Sequence, residues 1–314
     1  MFQQGLGTSH PHAKIELQHP APFAFKDAEK LIRFFSKAGE SVLDPFSGVG
    51  STLKACALTQ REGTGIELSA KFHKLAQERL NSEVPESVRK MAVQRMLRGD
   101  CRDLTKKLAD DSFAFILTSP PYWNILGKPR SAQPDIKNRK GSRPYSVDDR
   151  DFGCIREYDS FVAEVAKYVD SLKRVLQPRR YLALVVADFR HKDVLYPFSA
   201  DLIAILRRSN LDGPRRLVLQ GIKVIAQNQK RLFPYGFPTT YVPNIHHQYV
   251  LIFRNVPNEV VPRRRKGPAT TAAPTKRKSA AVTKSMAKTT PVSRVRRKTL
   301  TRTRIPVAKK AHRR

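Results

Sequence analysis

The chain has 314 residues, with 59 Lys and Arg against 27 Asp and Glu and a formal charge of +32, a length suited to one large domain with appendages. No stretch approaches the roughly 18 uninterrupted apolar residues of a membrane span, and the N-terminus lacks the basic-then-apolar order of a secretory signal, so membrane and secreted readings are set aside. Cys56, Cys101 and Cys154 are scattered and form no Cys-x-x-Cys pair, which fits a reducing compartment and argues against a disulfide framework or a structural zinc.

Residues 1–20 are read as an N-terminal arm and 21–260 as the folded domain. Ala28, Leu31, Ile32 and Phe35 repeat at helical spacing, with Gly39 as a stop. Ser41 to Leu43 is a short apolar strand running into Asp44-Pro45. Thr52 to Leu58 reads as a helix, and Gly63 to Ile66 as a second strand ending at Glu67. Ser69 is placed as the N-cap of a helix that uses Phe72, Leu75, Ala76 and Leu80. A linking region follows to Arg98, then a turn at Gly99-Asp100 that closes a third strand, then the buried-type strand Phe113 to Leu117. Residues 127–157, rich in Arg, Lys, Pro and Gly, are expected to form a long basic loop. Phe161, Val165, Val169, Leu172 and Leu176 outline an amphipathic helix that Pro178 should end. Tyr181 to Ala187 is an apolar strand, Leu202 to Leu206 lie in a helix, and Val218 to Ile225 and Tyr249 to Phe253 supply late strands. Alternating helices and strands predict an α/β sheet.

From Arg263 to Arg314 there are 19 basic and no acidic residues. That segment has no aromatic residue and cannot bury enough apolar surface to offset its ordering entropy, so 261–314 is expected to be a disordered basic tail. Arg263, Arg264, Arg265 and Lys266 open it. Its single sign of charge suits a polyanion, and duplex nucleic acid carries about one charge per 1.7 Å of axis. In composition the tail resembles those of linker histones and some bacterial nucleoid proteins.

The chemistry concentrates at two strand ends. In Asp44-Pro45-Phe46-Ser47-Gly48-Val49-Gly50-Ser51-Thr52 a strand turns into a helix, and Gly48 and Gly50 are expected to let the backbone approach a ligand where a side chain would take its space. Leu53 stands where the dinucleotide fingerprint needs its third glycine, and no Gly-Lys-Ser/Thr is present, so neither a pyrophosphate nor a phosphate-cradling loop is indicated. Glu67, 19 residues after Gly48, ends the second strand where a carboxylate can accept hydrogen bonds from ribose hydroxyls. Together these point to an adenosine-containing cofactor. A glycine turn beside a surface glutamate would explain either feature alone, but not both at this spacing. The second constellation is Thr118-Ser119-Pro120-Pro121-Tyr122-Trp123-Asn124, directly after the fourth strand.

DPFSGVGST, GIELS, GDCRDL and TSPPYWN, in that order, resemble the amino-group DNA methyltransferases. HPAPFAFKDAEKLIRFFSKAGESVLDPFSG, YLALVVADFRHKDVLYPF and HHQYVLIFRN extend the likeness over approximately residues 10 to 255. The resemblance implies a Rossmann-like fold with a seven-stranded mixed sheet whose last pair includes an antiparallel member, and S-adenosylmethionine as cofactor. By resemblance Asp44, Phe46, Ser47, Gly48, Gly50, Thr52, Glu67, Asp100 and Cys101 attend that cofactor, with Asp100 at its adenine amino group. Arg179-Arg180 replaces the glycine that usually precedes the fifth strand.

A base's exocyclic nitrogen is a poor nucleophile because its lone pair is delocalised into the ring. Acceptors for its two N–H groups favour a pyramidal nitrogen. Ser119 can offer a side-chain oxygen and Pro120 a carbonyl, while Pro120 and Pro121 fix φ and aim both in advance. Tyr122 presents a ring for stacking on an extruded base. No thiol follows a proline in a catalytic-type loop, so a covalent intermediate is not expected. In the family, Ser before Pro-Pro-Tyr usually accompanies cytosine N4 methylation, and Asp or Asn adenine N6. Ser119 therefore favours cytosine, with adenine the alternative and RNA a less favoured substrate. Lys128, Arg130, Lys137, Arg139, Lys140 and Arg143 in the basic loop are candidates for phosphate contacts on duplex DNA. A second candidate region, 230–247, interleaves Arg231, Phe233, Tyr235, Phe237 and Tyr241. His246 and His247 are adjacent on a strand and point to opposite faces, so no metal is expected. The expected location is cytoplasmic, nucleoid-associated in a bacterial host or nuclear in a eukaryotic one. A reading from another class is a DNA-coating protein with a vestigial catalytic domain.

Overall fold

The computed structural model describes residues 13–21, 23–123, 148–191, 194–209, 213–227 and 245–258. The expected tail, residues 261–314, lies outside the described residues, as do the six basic positions from Lys128 to Arg143 and Arg231 to Tyr241.

The described residues open with the single turn α1 (Ala13–Glu16) and the amphipathic α2 (Phe25–Phe35), then alternate: β1 (Ser41–Asp44), α3 (Ser51–Leu58), β2 (Glu62–Glu67), α4 (Ala70–Glu83), α5 (Glu86–Arg89), β3 (Gln94–Arg98), α6 (Cys101–Lys106) and β4 (Phe113–Thr118). After a 3-10 turn at Phe152–Cys154 come α7 (Tyr158–Ser171), β5 (Leu176–Val186), the hairpin β6 (Phe189–His191) and β7 (Val194–Tyr196), α8 (Phe198–Ser209), β8 (Arg215–Ala226) and β9 (His247–Pro257). The main sheet has seven strands in the order β3-β2-β1-β4-β5-β9-β8. β1 to β5 pair in parallel, and β9 runs antiparallel to both β5 and β8. This is the Rossmann-like, mixed seven-stranded α/β architecture that the resemblance implied.

Apolar side chains cover both faces, as a parallel sheet requires. Ala28, Leu31, Ile32 and Phe35 of α2 pack with Phe115, Leu117, Ala183 and Val185 on one face. Phe161, Val165, Val169, Leu202 and Leu206 of α7 and α8 pack with Leu43, Ile116, Leu182 and Leu184 on the other. Strand order reverses between β1 and β4, and in open α/β sheets ligands bind outside the carboxyl ends of the strands at that point.

Three expectations are corrected. The linking region before Arg98 contains the short helix α5, and the presumed third strand is the edge strand β3, paired to Gly63 through Glu67. The helix expected to run to Leu176 ends at Ser171, and β5 starts at Leu176 and passes through Pro178. The reason is a distant partner. Asn255 of β9, fully buried, donates from Nδ2 to the carbonyls of Lys173 (2.9 Å) and Leu176 (2.6 Å), satisfying groups that a longer helix would have used itself. The third is the hairpin β6/β7, which lies between the fifth strand and α8 where no element was expected. At Arg179, where the resemblance placed a glycine, the backbone has φ +64°. β5 loses register with β4 there, between the pairs Phe113↔Leu176 and Phe115↔Tyr181.

A buried ionic network ties α1 to α4. Arg79, fully buried, reaches Glu16 (2.5 Å) and Glu83 (3.0 Å), and Glu83 also accepts from the fully buried Lys54 (2.6 Å). Lys54 Nζ stands 3.8 Å from the centre of the Phe25 ring, and Arg79 also donates to Ser51 Oγ at 2.9 Å.

Candidate active site

β1 delivers Asp44 to the crevice, and the chain then turns through Gly48 (φ +52°) and Gly50 (φ +74°) into α3. The left-handed backbone favours glycine. A Cβ on Gly50 would meet Ala76 of α4 at 3.0 Å, and one on Gly48 the His19 ring at 3.1 Å. At both positions a packed neighbour leaves little room for a side chain.

A cavity open to solvent, with about 920 Å³ of empty space, lies at this turn. Asp44, Phe46, Ser47, Gly48, Thr52, Glu67, Asp100 and Cys101 line it, together with Ser119, Pro120 and Pro121. The structure therefore gathers all but two of the site residues it describes. Gly50 stands behind the wall. Tyr122, expected as a stacking platform, lies outside the lining: its hydroxyl accepts from Gln248 Nε2 at 3.2 Å and its ring meets Phe189 edge-on. Burial pushes the Tyr122 phenol up, against the effect of that hydrogen bond.

Sequence reasoning missed His19, Ala21 and Phe23, which line the cavity from the N-terminal side, and Arg150, Asp151 and Phe152 at the end of the presumed basic loop. The first group carried a signal, since His19-Pro20 belongs to the segment that resembles the family. The second carried none, because its partner is remote: Arg102 pairs with Asp100, donates to the Arg150 carbonyl at 2.6 Å and stacks on Phe152. His19 is held down to about 4 by burial, so its ring is neutral at neutral pH.

The electrostatics are dominated by carboxylates. Asp44 accepts from Thr118 Oγ1 (2.6 Å), Thr52 Oγ1 (2.5 Å) and the Phe46 amide (3.1 Å). Burial raises it to about 6 despite these three donors. Glu67 accepts from the amides of Gly48 (2.9 Å) and Ser69 (2.8 Å), and burial, aided by the charges of Asp151 and Asp44, raises it to about 7. These partners are all uncharged donors. Asp151 is raised as well, by burial first. Asp100 behaves differently: burial pushes it up, but the Arg102 side chain and amide outweigh that and hold it below the usual range. Buried carboxylates lacking a cation, with lone pairs to spare, fit a ligand that brings positive charge and hydroxyl groups.

On the other wall Ser119 Oγ donates to the Val185 carbonyl of β5 at 2.8 Å. Its one proton is thereby committed, and only lone pairs remain for a ligand. Trp123 anchors the far side of the loop by donating to the carbonyls of Ile155 (2.9 Å) and Arg156 (3.1 Å). Its ring packs against Tyr158, Phe189, His191 and Tyr196. His247 hydrogen-bonds Tyr249, and among the described residues no cluster of three His, Cys, Asp or Glu could hold a metal. None of the described helices is long and apolar enough to cross a membrane.

Residues 5–78 match a family described as DNA methylase. Over that segment the chain resembles the amino-group DNA methyltransferases. It is 44% identical over 71 residues to the orphan methyltransferase M.BamHII of Bacillus amyloliquefaciens, covering 23% of this chain and 27% of that protein. It is 36% identical over 75 residues to the type II methyltransferase M.MjaI of Methanocaldococcus jannaschii, covering 24% of each. The match thus spans about a quarter of the length of these curated relatives. Among solved structures, a SAM-dependent methyltransferase of Methanosarcina mazei superposes with a TM-score of 0.44 at 14% identity, over 72% of this chain and 97% of the other. A ligand carrying a sulfonium and a ribose, as S-adenosylmethionine does, fits the carboxylate-lined cavity. The matched segment stops before Thr118 and does not reach the proline-rich loop.

Proposed function

We propose that this chain is an S-adenosylmethionine-dependent DNA methyltransferase acting on the exocyclic N4 of a flipped-out cytosine. The observation that carries the reading is Ser119: a hydroxyl committed as donor to Val185, beside a carboxylate-lined cavity, is an acceptor in waiting for an amino group. The cofactor supplies an electrophilic methyl group. Glu67 and Asp44 favour its positive charge and Asp100 its adenine end, with Phe46, Ser47, Thr52 and Cys101 forming the remaining wall. Ser119 Oγ and the Pro120 carbonyl accept from the target N–H groups, so the nitrogen lone pair is freed toward the donor. Pro121 stiffens the loop, and Tyr122, braced by Gln248 and Phe189, borders the extruded base. In-line transfer needs nitrogen and carbon within roughly 3–3.5 Å, which calls for a rigid loop. The cytosine choice rests on Ser119 before Pro-Pro-Tyr. Arg263 to Lys266 and the basic positions from Lys128 to Arg143 are proposed to hold DNA phosphates.

The test is to incubate the protein with DNA and methyl-labelled cofactor, then digest and separate nucleosides. Label in N4-methylcytosine is expected; label in N6-methyladenine would move the assignment to the other amino base. Ser119→Ala should lower transfer at least a hundredfold while DNA retention stays near wild type. DNA retention with no transfer by the wild-type chain would favour a DNA-coating role instead.

A further inference from the structure

The ladder between β1 and β4 ends early. Its last register pair is Leu43↔Ile116, yet both strands continue, to Asp44 and to Thr118. Each is the last strand residue before a loop at the cavity: the glycine turn follows Asp44, and Ser119 follows Thr118. Where backbone pairing stops, one side chain spans the gap. Thr118 Oγ1 donates to Asp44 Oδ1 at 2.6 Å and lies 3.2 Å from the Phe46 amide, which it accepts in common with Asp44. Thr118 is fully buried and Asp44 is 4% exposed, so water does not substitute for this link.

We propose that Thr118 is a positioning residue of the methyl transfer, its hydroxyl fixing the target loop against the cofactor turn across the opening between β1 and β4. This rests on the functional reading above. Thr118 is absent from the cavity lining, so it acts through Ser119 on one side and through Asp44 and Phe46 on the other. A misplacement of about 1 Å between reacting groups costs on the order of a hundredfold in rate, and the two loops carry the two reacting groups.

The experiment compares full-length wild type with Thr118→Val, nearly isosteric but without the hydroxyl, and Thr118→Ser, which keeps it. Three quantities are read: kcat on DNA, the Kd of S-adenosylhomocysteine by calorimetry, and acrylamide quenching of Trp123. That residue is the only tryptophan in the chain and follows Tyr122 directly. Thr118→Val should lower kcat about ten- to a hundredfold, shift Kd less than about threefold and raise quenching, and Thr118→Ser should restore all three. Thr118→Ala replaces Val if Val prevents folding. Wild-type kcat and quenching in the Val or Ala variant, or a Ser variant as impaired as Val, would overturn the assignment. A wild-type chain that binds cofactor but transfers nothing sinks the functional reading alone, and the quenching comparison still decides whether the hydroxyl holds the loop.

Discussion

Charge is buried in two neighbouring places, and they are built on opposite terms. Around Arg79 two cations, Arg79 and Lys54, face two anions, Glu16 and Glu83, within hydrogen-bonding distance. At the cavity, Asp44 is nearly as enclosed and Glu67 partly so, but both meet only hydroxyls and amides. The first arrangement is complete within the described chain and joins the N-terminal turn to α4. The second leaves charge unmatched, at a cost in stability that a cationic ligand would remove. Burial alone therefore does not mark a functional site; burial without a counter-charge does.

The contrast can be broken first at its paired side. Arg79→Ala strands the buried Glu16 and leaves Glu83 with Lys54 alone, and should destabilise the fold by about 3–5 kcal/mol, read from urea denaturation. A loss below about 1 kcal/mol would mean the network is not the clamp it is taken to be. At the cavity the sign reverses. Asp44→Asn keeps acceptors for Phe46 and Thr118, and its amide can donate to the rotatable Thr52 hydroxyl. It should raise stability at pH 8 by about 1–3 kcal/mol while weakening cofactor binding about tenfold. The pH dependence sharpens this. Asp44 ionises near 3.8 unfolded and about 6 folded, so folding takes up a proton between those values. Its contribution to wild-type stability is full below about pH 4 and declines as pH rises through 6, and the Asn variant should lack that decline. The smallest effect lies away from both regions. Arg179→Gly relieves a left-handed backbone at φ +64° and should gain up to about 1 kcal/mol, with methyl transfer unchanged; a loss of stability would show that the bulge in β5 needs its side chain.

Much of the site was legible because its residues are consecutive. The run from Asp44 to Thr52 and the loop from Ser119 to Tyr122 are continuous stretches whose glycines and prolines dictate local backbone, and both strands before them are apolar. What escaped came from distance. Arg150 to Phe152 reach the cavity through Arg102, and His19 reaches it because α1 is clamped by Arg79. Tyr122, expected as a stacking ring for the base, lies outside the cavity lining and is held by Gln248 and Phe189, more than sixty residues away in the sequence.

The sequence by itself determined the alternation of helices and strands, the two loops at strand ends and the acceptor chemistry of Ser119, since periodicity, φ preference and side-chain functional groups are local properties. Only the tertiary structure decided where α7 ends, which way the Ser119 proton points and that Thr118 joins the two loops. Each of these depends on a hydrogen-bond partner supplied by another strand, and a buried polar group takes whichever partner the packed fold brings within reach.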